Sequence, residues 1–322
     1  MGAESLGWGD AVRGEIGGWI KPDKLIPGAT VGVVAPAGPV DRARLETGEA
    51  QLRQMGFSVR RGTHLLESRA YLAGCDADRA RDLGDMISDP GIDAIFFARG
   101  GFGCTRLIPH LRTRQLRENP KALVGFSDIT ALHLWALRNG VITFHGPVVA
   151  GQWPWTTECS QSLFSALTQT APPGEIPEPE DGPKRSCIRP GKAHGRIIGG
   201  NLSMLLASLG TDYELDSRGA ILFIEEVGEP AYRIDRMFTQ LAHAGKLRGI
   251  SGMVLGDFCS CPPFGDRGYI EIVREICEAW DIPCFRGLAT GHGRQRLTLP
   301  LGVRAEMDAG RQSLRILEGA VQ

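Results

Sequence analysis

The sequence predicts an α/β protein: a doubly wound, mostly parallel sheet in the N-terminal half, then a second α/β unit. Three observations carry that expectation. Short apolar, β-branched runs alternate with helical repeats through the first half of the chain. Each run is apolar on both faces, as a strand covered by helices above and below has to be. Finally, 43 glycines and 20 prolines in 322 residues punctuate the elements with no G-X-Y period. That excludes collagen and places many tight turns at element ends.

In chain order, residues 30–35 (TVGVVA) form the first strand, closed by Pro36-Ala37-Gly38-Pro39. Asp41 is placed to cap a helix whose Leu45, Leu52 and Met55 share one face and which Gly56 ends. A short strand at 57–60 precedes a helix opened by Asp76, carrying Leu83, Met86 and Ile87 and stopped near Pro90. Residues 92–98 (IDAIFFA) read as a buried strand that runs into the glycine loop Arg99-Gly100-Gly101-Phe102-Gly103. A helix through Leu107 and Leu111, a strand at 122–124, a helix at 127–139 and a strand at 141–145 complete this half.

Between Trp153 and Pro190 the periodicity dissolves, and residues 171–190 hold six prolines, which suits an extended linker. The second half restarts with a strand at 195–200 and a helix bearing Leu202, Leu205, Leu206 and Leu209. It continues with a strand at 220–225, a helix through Ile234, Met237, Phe238 and Leu241, and a strand at 252–256. A helix at 269–280 and strands at 283–287, 304–307 and 313–317 end it. The expected division is an N-terminal extension at 1–24, an α/β domain at 25–165, a Pro-rich linker at 166–192 and a C-terminal domain at 193–322. A chain of this length suits about two domains at roughly 150 residues each.

Charge and cysteine narrow the function classes. With 36 Lys and Arg against 37 Asp and Glu, the net charge of −1 offers no basic face for nucleic acid. Residues 1–20 include Glu4, Asp10 and Glu15 and lack an apolar core, so no secretory signal is expected. Runs such as Ala94-Ile95-Phe96-Phe97-Ala98 fall far short of the ~20 residues of a spanning helix. Eight cysteines are dilute, and Cys259-Ser260-Cys261 is poorly spaced for zinc or redox chemistry. Reduced thiols in a cytoplasmic protein without metal or cofactor are the expectation.

Ser127 stands where a buried strand meets a helix, at the carboxyl end of the sheet, where ligands of open α/β folds bind. A sharp turn there, permitted by Gly125, would push Oγ outward and aim the Asp128 amide at a developing oxyanion. The nucleophile-elbow pattern G-x-S-x-G is broken by Ile129. Taken alone, Ser127 therefore reads first as a helix N-cap.

A nucleophile needs a base and a group to orient it. His292 lies in the glycine-flanked loop Thr290-Gly291-His292-Gly293-Arg294, exposed and free to approach a partner, with His145 its closest competitor. His64, His110, His133 and His243 read as packing or surface residues. Glu225 and Glu226 end an apolar strand, and strand alternation sends them to opposite faces, so one alone can join a site. The Gly100-Gly101 turn can supply a second oxyanion donor. It matches neither phosphate-binding glycine pattern.

Together these segments acquire a family likeness. Val33-Val34-Ala35-Pro36-Ala37-Gly38-Pro39, Arg99-Gly100-Gly101-Phe102-Gly103, Gly125-Phe126-Ser127-Asp128-Ile129-Thr130, Glu225-Glu226-Val227-Gly228-Glu229-Pro230 running on through Arg236, and Gly291-His292-Gly293 occur in the order seen in LD-carboxypeptidases. The chain resembles this muramoyltetrapeptide carboxypeptidase family, which also holds the microcin C immunity peptidases, over about residues 25–310.

The resemblance implies a glutamine-amidotransferase-like N-terminal domain, a smaller β-rich C-terminal α/β domain, a site between them and a homodimer. It implies a serine peptidase with Ser127 as nucleophile, His292 as base and Glu225 as its carboxylate. The oxyanion hole would be the amide of Asp128 with that of Gly100 or Gly101. Phe102 and Phe126 stand where tyrosine is frequent in the family, and Glu226 where aspartate is frequent. The implied reaction frees a terminal D-alanine from a cytoplasmic muramoyl tetrapeptide during murein recycling, through an acyl-enzyme. Recognition of the terminal carboxylate suggests an arginine, with Arg99 and Arg233 nearest in sequence. Two alternatives stand beside this reading. One is an immunity peptidase cleaving a peptidyl- or aminoacyl-nucleotide, with Trp153 or Trp155 to stack on the base. The other is a non-catalytic ligand-binding protein on the same fold.

Overall fold

A computed structural model describes residues 18–322. The first half builds a six-stranded sheet from β1 (Thr30–Val34), β2 (Ser58–Arg61), β3 (Ala94–Phe97), β4 (Ala122–Gly125) and β5 (Thr143–His145), joined from far downstream by β12 (Leu299–Leu301). Its order is β12-β5-β4-β3-β1-β2, parallel except for β12. Helices α1 (Arg42–Gln54), α2 (Asp76–Ser88), α3 (Cys104–Leu107), α4 (Thr113–Glu118) and α5 (Thr130–Arg138) cover it. Successive residues serve opposite layers: Phe96 packs with Val31, Val33 and Leu45, while Phe97 packs with Val34, Leu83 and Leu132. Burial on both faces explains the uninterrupted apolar runs. Strand order reverses between β1 and β3, the switch point where such sheets bind ligands.

The second sheet comprises β6 (Gly174–Glu175), β7 (Ser186–Arg189), β8 (Lys192–Asn201), β9 (Ile221–Val227), β10 (Gly252–Cys259), β11 (Cys284–Arg286), β13 (Arg304–Asp308) and β14 (Ser313–Ile316). Its centre, β8-β9-β10-β11, is parallel and its flanks are antiparallel. Helices α7 (Leu202–Ala207), α8 (Ala231–His243) and α9 (Tyr269–Ala279) accompany it. The α/β class and the parallel-rich first sheet are thus as the sequence predicts.

The segment 153–190 is more ordered than its prolines suggest. Thr156 caps α6 (Thr157–Thr168) by accepting from the Cys159 N–H at 3.2 Å, and Cys159, Leu163, Ala166 and Leu167 form its buried stripe. That spacing is helical and legible in the sequence; the neighbouring prolines obscure it. α6 crosses position 165, the expected domain end, and β12 returns from the second half to the first sheet. Pro300 is tolerated in β12 because that strand lies at the sheet edge. Of the expected N-terminal extension, Ile20 bridges to Val141 and Trp19 lies under the Arg196 guanidinium; residues 1–17 fall outside the described residues. No helix among the described residues is long and apolar enough to cross a membrane.

Candidate active site

β4 is buried throughout and delivers the chain through extended Phe126 to Ser127, whose φ is +67°. A non-glycine residue in this left-handed region costs of order 1–3 kcal/mol, and such residues cluster at functional sites. The N-cap reading of Ser127 does not hold. Phe126 occupies the cap position, no side chain caps the turn Ser127–Ile129, and Ser127 Oγ instead meets His292. Nor does Gly125 make the turn by its own conformation, since it stays in β4. It leaves room, because a Cβ there would stand 3.0 Å from Phe97 and 3.1 Å from Ile129. Gly125 holds the first glycine position of G-x-S-x-G; at the second stands Ile129, whose side chain packs against the Cα of Gly125.

The glycine loop after β3 lies directly against this elbow. A Cβ on Gly100 would stand 2.9 Å from Ser127 Cβ and 3.1 Å from its Oγ, so a larger residue would displace the serine. The Gly100 carbonyl accepts from Gly38 N–H at 3.1 Å. Asp128, 1% exposed, ties the two loops together: its Oδ2 accepts from Cys104 N–H at 2.9 Å. Burial raises its pKa, and the Cys104 hydrogen bonds oppose the rise. Buried Arg79 props the same loops, donating to the Pro36 carbonyl and pairing with Asp76. Nothing in the local sequence marks the Asp128 carboxylate or the Arg79 contact with Pro36, because those partners lie on other loops.

The second sheet supplies the facing groups. Glu225 and Glu226 diverge as alternation requires. Glu225 is wholly buried and its Oε2 meets His292 Nδ1 at 2.6 Å. Glu226 turns the other way, accepting from Asn201 Nδ2 and from Ser203 N–H and Oγ–H. His292 Nε2 lies 3.2 Å from Ser127 Oγ, and the ring stands edge-on to Phe126 with centroids 4.8 Å apart. Phe126 thus packs against the imidazole, a task that needs no hydroxyl. Burial alone would lower the His292 pKa. The Glu225 hydrogen bond and the charges of Glu225, Glu226 and Asp257 outweigh it and hold the imidazole above its ordinary value. Burial raises the Glu225 pKa, against the pull of His292.

Other expected residues lie elsewhere. His145 is buried behind Glu225, Nε2 4.0 Å from Oε1, and makes no hydrogen bond to Ser127. Burial keeps it neutral, well below its ordinary pKa. Arg99 is exposed and donates to the Pro39 carbonyl at 2.9 Å. It lines an open cavity of about 610 Å³ with Gly38, Pro39, Tyr71, Gly101 and Phe102 at the β1/β3 switch point. Arg233 instead pairs with Glu229 at 3.3 Å on α8, next to Tyr232. Trp155 is buried, its Nε1 donating to the Val148 carbonyl, whereas Trp153 is half exposed. No metal ligand set is visible in the sequence spacing. The fold nevertheless brings His64, Glu67 and Asp78 within 4.8 Å of one another on the surface. There His64 Nδ1 pairs with Asp82 at 2.7 Å, and its Nε2 lies 3.8 Å from Asp78.

Comparison with known proteins gives one consistent result. The profile of the LD-carboxypeptidase N-terminal domain matches residues 31–146, and that of the C-terminal domain matches 194–307. A relative described as a probable murein peptide carboxypeptidase from Bacillus subtilis is 36% identical over 310 residues, 93% of this chain and 95% of the relative. Among solved structures, the microcin C7 self-immunity protein MccF in complex with aspartyl sulfamoyl adenosine aligns with a TM-score of 0.87 at 26% identity, covering 94% of this chain and all (100%) of that one. Muramoyltetrapeptide carboxypeptidase from Oxalobacter formigenes aligns with a TM-score of 0.78 at 25% identity, covering 89% and 98%.

Proposed function

The chain belongs to the LD-carboxypeptidase family, and on that premise we propose that it removes a terminal D-alanine from muramoyl tetrapeptides through an acyl-enzyme on Ser127. The observation that carries the reading is the relay Ser127 Oγ–His292 Nε2 at 3.2 Å and His292 Nδ1–Glu225 Oε2 at 2.6 Å, on a serine with φ of +67°. Ser127 Oγ attacks the scissile carbonyl carbon while its proton passes to His292 Nε2. Glu225 accepts the Nδ1–H, fixing the tautomer and stabilising the imidazolium. The imidazolium then protonates the amine as the C–N bond breaks, releasing D-alanine. Water, deprotonated by the same His292, hydrolyses the ester and frees Ser127.

The oxyanion would lie between the Asp128 N–H and the glycine turn. Of the two glycines, Gly101 is favoured. The Gly100 carbonyl is spent on Gly38, and across a trans peptide the Gly101 N–H points the opposite way. Arg99, at the mouth of the neighbouring cavity, would meet the terminal carboxylate; Arg233, ion-paired and exposed on α8, is the weaker candidate. The reading includes a cytoplasmic homodimer acting on recovered muropeptides, without metal or cofactor.

Mass-spectrometric assay of a muramoyl tetrapeptide tests it: loss of one alanine by wild type and none by Ser127→Ala is the expected result, and near-normal turnover by that variant would sink it. The likeness to MccF with a bound aminoacyl sulfamoyl adenosine supports a second reading, cleavage of an aminoacyl-nucleotide, for which half-exposed Trp153 is the available stacking residue. Comparing turnover of an aminoacyl sulfamoyl-adenylate with that of the tetrapeptide separates the two.

A further inference from the structure

Behind the His292 loop lies a carboxylate that the proposed reaction does not use. The pairing of β10 with β9 shifts register between Leu255 and Phe258. Such a bulge re-aims side chains and is common beside active sites. Asp257 sits in it, 7% exposed, facing residues 290–293. Its backbone N–H donates to the Thr290 carbonyl at 3.1 Å, and its Oδ2 accepts from Gly293 N–H at 2.9 Å. The loop is therefore gripped on both sides of His292 by one residue. The fit leaves no slack: a Cβ on Gly293 would stand 2.7 Å from Oδ2, and one on Gly291 3.2 Å from Asp257 Cβ.

We infer that Asp257 is a positioning residue for the base: its carboxylate fixes the loop that presents His292 to Ser127 and, when ionised, adds a negative charge behind the imidazolium. The inference rests on His292 being the base. An asparagine would satisfy the Gly293 N–H equally well, yet a carboxylate is buried here despite its desolvation cost. Burial pushes its pKa up to about 6; the Gly293 N–H opposes this, the Glu225 charge adds to it, and His292 and Arg296 oppose it. Those groups face Asp257 from β9 and from the loop, and Cys259 follows two residues along β10. At neutral pH the group is ionised, and its charge is among those that raise the His292 pKa. Asp257 is thus a charge as well as a latch.

Fluorophosphonate labelling of Ser127, followed against pH, reads the base without needing the natural substrate. Misplacement of a catalytic group by about 1 Å costs on the order of 100-fold, so Asp257→Ala is expected to slow labelling at pH 7.5 by about that factor. Asp257→Asn should restore most of the rate, because its amide oxygen accepts from Gly293 N–H. Its acid limb should move down by about one pH unit, because the charge that favours imidazolium is gone. Wild-type labelling by Asp257→Ala, or an acid limb in Asp257→Asn that coincides with wild type, would overturn the inference. If circular dichroism shows Asp257→Ala unfolded, the limb of Asp257→Asn decides alone. His292→Ala serves as the control on the underlying reading: full labelling in that variant rejects His292 as base, whatever the Asp257 variants do.

Discussion

The two halves of the site are held by different forces. On the Ser127 side, backbone carries most of it: β4 ends, φ at Ser127 swings to +67°, and Ser127 Cβ lies 2.9 Å from where a Cβ on Gly100 would stand, with the Asp128 carboxylate tying the glycine loop to the elbow. On the His292 side, buried charge does it, with Glu225 and Asp257 holding a glycine-flanked loop through the 2.6 Å and 2.9 Å hydrogen bonds. A backbone device is indifferent to pH, and a device of buried carboxylates and an imidazole is not. Ser127, the proposed nucleophile, should therefore respond to pH less than His292, the proposed base, with Asp128 the one buried carboxylate on its side.

The largest expected effect removes the nucleophile. Ser127→Ala should lower turnover by about 10⁴–10⁶-fold, as loss of a serine nucleophile does elsewhere. If strain is stored at this residue, Ser127→Gly should be just as inactive yet more stable than Ser127→Ala by about 1 kcal/mol. Equal unfolding midpoints for the two would remove the strain from the account.

Next comes the charged side. Glu225→Gln should cost about 10³–10⁴-fold in kcat, by analogy with other triads deprived of the carboxylate. It should also move the acid limb. On the proposed mechanism activity needs neutral His292, and the wild-type imidazole is held above its ordinary value, so activity should fall as pH drops through that raised value. Without the Glu225 charge, the limb should shift to lower pH. A kcat/KM profile with the wild-type limb would show that Glu225 does not set the histidine.

On the backbone side, Gly100→Ala should cost about 100-fold at every pH, because the added carbon displaces Ser127 without touching a charge. A pH-dependent loss would blur the contrast between the two halves. The smallest effect belongs to Arg233→Ala. Its pair with Glu229 is exposed and screened by solvent, and kcat/KM should stay within about twofold of wild type. A larger loss would bring α8 into substrate binding.

How much was legible follows the range of each interaction. The apolar run ending at Gly125, the glycine loop after Phe97 and the split of Glu225 from Glu226 are local patterns, and they are visible in the sequence. The stripe of α6 is local too, though prolines mask it. Asp257 and the Asp128 carboxylate are not legible, because each acts on an amide from a different loop, Gly293 or Cys104. The return of β12 to the first sheet has no local signature either: no strand is expected at Leu299-Pro300-Leu301, and its pairing with β5 makes it one.

By itself, the sequence determined the alternation of strand and helix, the burial of both faces of the first sheet and the candidates at its carboxyl ends, all of which depend on side-chain periodicity within a few residues. Taken locally, it left Ser127 an N-cap and His292 one loop histidine among rivals, while the likeness of its motifs to LD-carboxypeptidases implied Ser127, Glu225 and His292 together. Tertiary structure decided which of these side chains meet. Ser127 and His292 lie 165 positions apart, and Glu225 and His292 lie 67 apart. Contacts across such distances depend on how two sheets pack and on which buried charges must find partners. Those are properties of the folded molecule, which no window along the chain contains.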